Sequence, residues 1–290
     1  MSKTDAPAEL ARPLTDPGRR DFVRASLGSG FAAAVLPVTA QTLVETGSAG
    51  LTVGEVVVKV GELSLPVYRA MPSGGKNLPV VLVVSEIFGV HEHIADVARR
   101  FARQGYLALA PELFVRQGDP GSYGEVGKLI SEVVNQARDA QVMADLDACV
   151  GWAQANGGDT RKLAVTGFCW GGRIVWMYAA HNPALATGVA WYGPLARAYA
   201  AGDRTAIEVA PRIKAPMLGL YGGDDSGIPN ASVEQMRAAL QAAGNTRSEI
   251  VLYPGAPHAF HADYRPSYRK TEAEDAWRRC LAWFKTHGVA

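Results

Sequence analysis

The stretch VTGFCWGGRI, residues 165–174, sets Cys169 between glycines directly after the apolar run KLAVTGF (162–168). Two readings compete for that thiol. It is either a small buried hydrophobe at a strand-to-helix turn or a nucleophile that the turn presents. The frame Gly167-Phe168-Cys169-Trp170-Gly171 fits the second, because it matches the pattern in which a nucleophile stands on a sharp, strained turn between strand and helix. Residues two before and two after must be small there, since strand and helix pass closely. A helix beginning at Gly171 would aim its N-terminus at the sulfur and favour the thiolate. The glycine spacing differs from G-x-G-x-x-G and no suitable ribose-binding acid follows, so the frame is not a dinucleotide fingerprint.

Working outward, strand-like runs alternate with helical patterns. Upstream, LPVVLVVSE (78–86) is apolar without interruption, as a central strand covered on both faces should be. EVVVKV (55–60) and LSLPVYRA (63–70) read as antiparallel entry strands, the second at or near an edge because Pro66 cannot donate a ladder bond. HIADVARRFARQG (93–105) is helical and YLALAP (106–111) a strand, followed by a Gly- and Pro-rich loop or lid over 111–127. An amphipathic helix covers 137–158, with Val142, Leu146, Cys149 and Trp152 near one face. Downstream of the thiol, GGRIVWMYAAH (171–181) is a helix, and ATGVAWYG (186–193) and APMLGLYGG (215–223) are strands. ASVEQMRAALQAAG (231–244), SEIVLYPG (248–255) and TEAEDAWRRCLAWFKTHG (271–288) complete the order as helix, strand and helix. This alternation predicts one α/β domain over 41–290, with a mostly parallel sheet and helices on both faces.

Residues 1–40 read differently. Arg19 and Arg20 precede Phe22 and Val23, a small-residue apolar stretch runs from Ala25 to Val38, and Val38-Thr39-Ala40 offers a cleavage site. The pattern resembles a bacterial twin-arginine signal and predicts export, to the periplasm in a bacterium with two membranes; without a working signal the protein would stay in the cytoplasm. Without this segment, which carries five basic and four acidic residues, the net charge of +1 becomes zero. No polybasic patch for nucleic acid or membrane is implied, and no apolar run reaches the roughly 18–20 residues that span a bilayer. Three widely spaced cysteines exclude a disulfide framework or a thiolate zinc site as the organising theme.

In a parallel sheet, chemistry gathers at the carboxyl ends of the strands. Glu86, Cys169, Asp225 and His258 all fall there, with Arg116 in the loop after LALAPEL. Asp224 and Asp225 follow one strand and His258 follows the last, so nucleophile, acid and base come in the chain order of α/β-hydrolases. His258 would hold the thiolate as an ion pair and later activate water, while an aspartate fixes its tautomer. Asp225 is preferred to Asp224 because the residue must turn back towards the histidine.

SEIFGVHEHI, LALAPELFVRQGD, GFCWGG, YGGDDSGIP, GAPHAFHADYRPSY and DAWRRCLAWF, spread in order over residues 85 to 284, resemble the dienelactone hydrolase (carboxymethylenebutenolidase) family of α/β-hydrolases. The resemblance implies Cys169, Asp225 and His258 as the triad and Glu86 as the acid that contacts the thiol and helps switch it on. It implies the Ile87 and Trp170 amides as the oxyanion hole and Arg116 as the guanidinium that holds a substrate carboxylate. Type members carry a second such arginine four residues after the histidine; here that position is Ala262, beside Asp263, with Arg265 three residues further.

The remaining signals have plainer readings. His91-Glu92-His93 and His258/His261 do not supply three or four convergent ligands, so no metal is expected, and the chemistry needs no cofactor. Trp170, Trp191 and Tyr192 either line the pocket or pack the core; Trp176, Met177 and Tyr178 pack the helix, and Cys149 and Cys280 are core thiols. The expected function is hydrolysis of a small ester or lactone, an unsaturated one of dienelactone type that bears a carboxylate, by a monomer or small homo-oligomer. A carboxylesterase or thioesterase with another acyl group, which Ala262 favours, and a non-catalytic redox-sensing protein are the alternatives; the latter would oxidise Cys169 without turnover.

Overall fold

Leu78–Val84 forms β3 and is buried from Val80 onward, as its unbroken apolar sequence demands. The computed structural model describes residues 44–290, so the signal read at residues 1–40 lies outside the described residues. Around β3 the chain builds β1 (Leu51–Val60), β2 (Leu63–Pro72), α1 (Glu92–Arg103), β4 (Leu107–Pro111), α2 (Val126–Glu132), α3 (Asp139–Ala155) and β5 (Gly158–Phe168). It continues through α4 (Trp170–His181), β6 (Thr187–Trp191), α5 (Ala206–Val209), β7 (Met217–Gly222), α6 (Asn230–Ala242), β8 (Glu249–Tyr253) and α7 (Lys270–Thr286). The strands form one eight-stranded sheet in the order β1-β2-β4-β3-β5-β6-β7-β8. Pairing is antiparallel for β1 with β2 and β2 with β4, and parallel from β4 through β8. This is the single-domain α/β-hydrolase architecture.

Pro66 is tolerated one strand in from the edge. It faces Val57 of β1, while the β2–β4 ladder starts only at Val67 opposite Pro111. Its carbonyl accepts from the Glu112 amide, so only the donor that proline lacks is missing there. Two elements escape the sequence pattern. α2 begins inside the segment expected to be loop, and α5 follows a Thr205–Glu208 capping box. Both are too short for a helical period to emerge.

The parallel strands bring Glu86, Cys169, Asp225 and His258 to one rim, because each follows the carboxyl end of β3, β5, β7 or β8. The turn between β5 and α4 is tight. Cys169 has φ 55° and ψ −119°, and the flanking glycines leave no room for a side chain. A Cβ on Gly171 would lie 2.5 Å from the carbonyl oxygens of both Val84 and Ser85, and one on Gly167 would lie 2.5 Å from the Gly171 oxygen. Gly171→Ala therefore destabilises the fold by about 1–3 kcal/mol through forced displacement of β3. Urea unfolding measures it; an unchanged midpoint would show that the crossing is looser than this.

Candidate functional site

Cys169 is partly exposed at the N-terminus of α4, and the turn after β8 carries His258 opposite it. The His258 Nδ1–Asp225 Oδ2 distance is 2.6 Å. Asp225 is buried and its other oxygen accepts from the Gly227 amide at 2.9 Å, which fixes the carboxylate's orientation. Asp224 is exposed, and Asp225 is the aspartate that meets the histidine. With Nδ1 committed, Nε2 is the nitrogen left for Cys169. Burial alone would lower the His258 pKa; the adjacent Cys169 and the bond to Asp225 outweigh it and raise the pKa to about 10. Tyr192 stands edge-on to the imidazole, ring centroids 5.2 Å apart.

Glu86 lies 1% exposed just after β3. Its Oε2 accepts the Tyr264 hydroxyl and sits 3.7 Å from Arg265 Nη2 and 3.9 Å from His91 Nε2. Its Oε1 has no hydrogen-bond partner among the described residues. Burial pushes this carboxyl up, but Arg265, His91 and the Tyr264 hydroxyl hold it below the ordinary range, so it is ionised. Arg265 Nε also donates to the Tyr264 oxygen at 3.1 Å, and its guanidinium lies over the Phe88 ring at 5.0 Å. Tyr264, Arg265 and His91 were not assigned roles by sequence reasoning. Tyr264 lies 178 residues from Glu86 in the chain, a separation over which no local pattern operates.

The histidine turn is fastened to α1 from behind. Asp263 meets His93 Nδ1 at 3.0 Å and Arg100 at 2.5 Å, and Arg100 also grips Asp96 at 2.6 Å. Despite burial, His93 and Arg100 hold the Asp263 carboxyl well below the usual range. His261 stacks on Phe168, centroids 5.3 Å apart, and burial pushes its pKa far down. Among the described residues no group of three His, Cys, Asp or Glu is arranged to hold a metal. Trp191 is core, its indole donating to Thr166, whereas Trp170 packs on Phe114 at 4.6 Å beside the elbow. Burial pushes the Cys149 and Cys280 thiols up, which keeps them protonated.

The Ile87 and Trp170 amides meet no acceptor among the described residues. They follow Glu86 and Cys169 respectively, the two segments from which an oxyanion hole is drawn in this architecture. Arg116 is engaged differently from the other candidates: Nη1 and Nη2 clamp the two oxygens of Asp145 on α3 at 2.6 and 2.7 Å, and Asp145 is fully buried.

The sequence profile described as the Dienelactone hydrolase family matches residues 65–288. The chain belongs to that family. A Methylorubrum extorquens protein provisionally named carboxymethylenebutenolidase is 52% identical over the full length of both chains. An Escherichia coli protein with the same provisional name is 51% identical over 90% of this chain and 96% of its own. The crystal structure of a provisionally assigned dienelactone hydrolase from Klebsiella pneumoniae is similar with a TM-score of 0.78 at 51% identity, covering 81% of this chain and 98% of that one.

Two tests follow from the geometry of this dienelactone hydrolase family member. In Cys169→Ser, a neutral hydroxyl replaces the thiol that raises His258, so NMR titration should find the imidazole pKa lowered from about 10. An unchanged value would mean that Asp225 alone sustains the charge. Tyr264→Phe removes a donor to an ionised buried carboxylate and should cost about 1–3 kcal/mol at neutral pH. Because the folded Glu86 pKa is depressed, its stabilisation is present above the unfolded carboxyl pKa and lost as pH falls through the folded one. The acid limb of stability should therefore move to higher pH in the variant. Coincident pH–stability curves would show that Tyr264 contributes nothing to Glu86.

Proposed function

We propose that the protein hydrolyses a small ester or lactone, an enol lactone of dienelactone type being the model substrate, through a Cys169–His258–Asp225 triad and an acyl-enzyme. The observation that carries this reading is the His258 Nδ1–Asp225 Oδ2 bond, which leaves Nε2 for Cys169 on its turn at the start of α4. At the moment of attack His258 is the imidazolium partner of the Cys169 thiolate. Glu86, with one oxygen anchored and the other unpartnered, is the acid that helps switch the thiol on as substrate enters.

Sγ attacks the carbonyl carbon, and the oxygen that gains charge is met by the Ile87 and Trp170 amides. The acyl–oxygen bond then breaks, and the departing oxygen takes the proton of the His258 imidazolium, which leaves the imidazole neutral. In a lactone the leaving oxygen stays tethered, so a linear acyl-enzyme forms. A thiolate is itself a good leaving group, so the intermediate goes forward only when the departing oxygen is stabilised, and an enolate meets that condition where a simple alkoxide does so poorly. His258 next removes a proton from water, the hydroxide attacks the thioester carbonyl, and Cys169 leaves as the thiolate. No cofactor takes part.

Cys169→Ala should lower dienelactone turnover by about 10⁴-fold or more, the scale at which triad members act. In the parent, mass spectrometry of quenched reactions should show an adduct of acyl mass on Cys169. Equal turnover by the two proteins would remove the thiol from the mechanism. We further propose export through the Arg19-Arg20 signal. Cell fractionation should find the parent outside the cytoplasm and Arg19→Lys/Arg20→Lys retained within it.

A further inference from the structure

We propose that Tyr192 is a positioning residue for the reaction: its ring is the surface against which the His258 imidazole is held facing Cys169. The inference rests on the hydrolytic reading above and deepens it, because it says what keeps the base of that triad in place. Tyr192 acts through His258 and needs no contact with substrate.

One hydrogen bond does not orient an imidazole. The contact of His258 Nδ1 with Asp225 Oδ2 at 2.6 Å sets a distance and a tautomer, but it leaves the ring free to rock about that bond. The His258 side chain is 33% exposed, and water on that side does not resist the motion. A second restraint has to come from a packed neighbour. Tyr192 supplies it: the two ring centroids lie 5.2 Å apart with their planes at 66°, the geometry of an edge-to-face pair. The Tyr192 ring is itself held. It is fully buried, Phe260 stands edge-on to it at 5.4 Å, and Phe168 lies at 6.2 Å. Among the described residues no second ring stands against His258.

The backbone points the same way. Tyr192 has φ 37°, which is strained for a bulky residue and free for glycine. The cause is the close pass between the end of β6 and the first turn of α4, where a Cβ on Gly193 would lie 2.3 Å from the Gly172 carbonyl carbon. A tyrosine stands at 192 in spite of that limit. Ala259, directly after His258, has φ 59°, so strained residues lie on both sides of the contact. Strain of this kind persists only where the surroundings over-determine it, and it collects at functional sites. The Tyr192 hydroxyl gives no separate reason for the residue, since it is buried without a hydrogen-bond partner among the described residues. Burial, with Glu86 and Tyr264 nearby, pushes its pKa well up and keeps it neutral. The position uses the ring. If the imidazole rocks away, it loses Cys169; burial lowers the His258 pKa, and the adjacent Cys169 is the largest of the effects that raise it.

The test uses the full chain, a dienelactone as substrate and NMR titration of the His258 imidazole. Tyr192→Met replaces the rigid ring with a flexible chain. Its kcat should fall by about tenfold or more, with KM within about twofold of the parent. Its imidazole pKa should drop below the parent value of about 10. Tyr192→Phe, which restores the ring without the hydroxyl, should rescue both readouts. A methionine variant that keeps the parent pKa overturns the inference, whether its kcat is lost or not, because a general packing defect would not move the imidazole. A phenylalanine variant that fails to rescue overturns it too, by giving the role to the hydroxyl. If Tyr192→Met does not fold, Phe260→Leu removes the ring behind Tyr192 and carries the same expectation; parent-like kcat and pKa there overturn the inference. A parent that cleaves no dienelactone removes the hydrolytic reading, and the titrations alone then decide whether Tyr192 holds the imidazole.

Discussion

The backbone contact between the start of α4 and the end of β3 is what the rest of the site depends on. Gly171 lies so close to the Val84 and Ser85 carbonyls that a methyl group would not fit. This proximity lets Cys169 stand at φ 55° above the sheet, in a conformation that costs on the order of 1–3 kcal/mol for a residue with a side chain. The same contact brings the segment after β3, with Glu86 and Ile87, alongside the segment after β5, with Cys169 and Trp170. A thiol, a carboxylate and two amides that meet no acceptor among the described residues are gathered by one crossing of main chains. Gly172 extends it on the other side, where a side chain would meet the Trp191 carbonyl at 2.5 Å.

Electrostatics completes what the backbone assembles. The turn from His258 to Arg265 carries groups with opposite tasks: His258 towards the thiol, Tyr264 and Arg265 towards Glu86, and Asp263 back towards α1. His93 and Arg100 hold Asp263 ionised at the rear, so the turn is anchored on one side while its functional groups face the other. Burial works against every charge in this region. Each persists because a partner of opposite sign is close.

Much of the architecture was legible because the local signals agreed with one another. The uninterrupted run of β3, the glycine frame of the elbow and the alternation of strand and helix all required a parallel sheet with its chemistry at one rim. Asp225 and His258 could be placed there by position after a strand. α2 and α5 were not legible, since one or two turns of helix carry no period. The role of Tyr264 was not legible either, although GAPHAFHADYRPSY was visibly part of the site region, because a tyrosine next to an arginine has no local signature for clamping a distant glutamate.

The sequence by itself determined the fold class, the thiol on its strained turn and the order in which Cys169, Asp225 and His258 follow their strands. Those properties follow from hydrophobic period and from steric limits that act over a few residues. Only the tertiary structure decided which partner each charged group would have. Arg116 had the chemistry to grip any carboxylate, and it is Asp145, 29 residues away on α3, that both of its nitrogens hold. Arg265 was a residue of open reach until folding set it beside Glu86. Charge pairing is governed by distance and burial, which depend on how the elements pack rather than on how they follow one another in the chain.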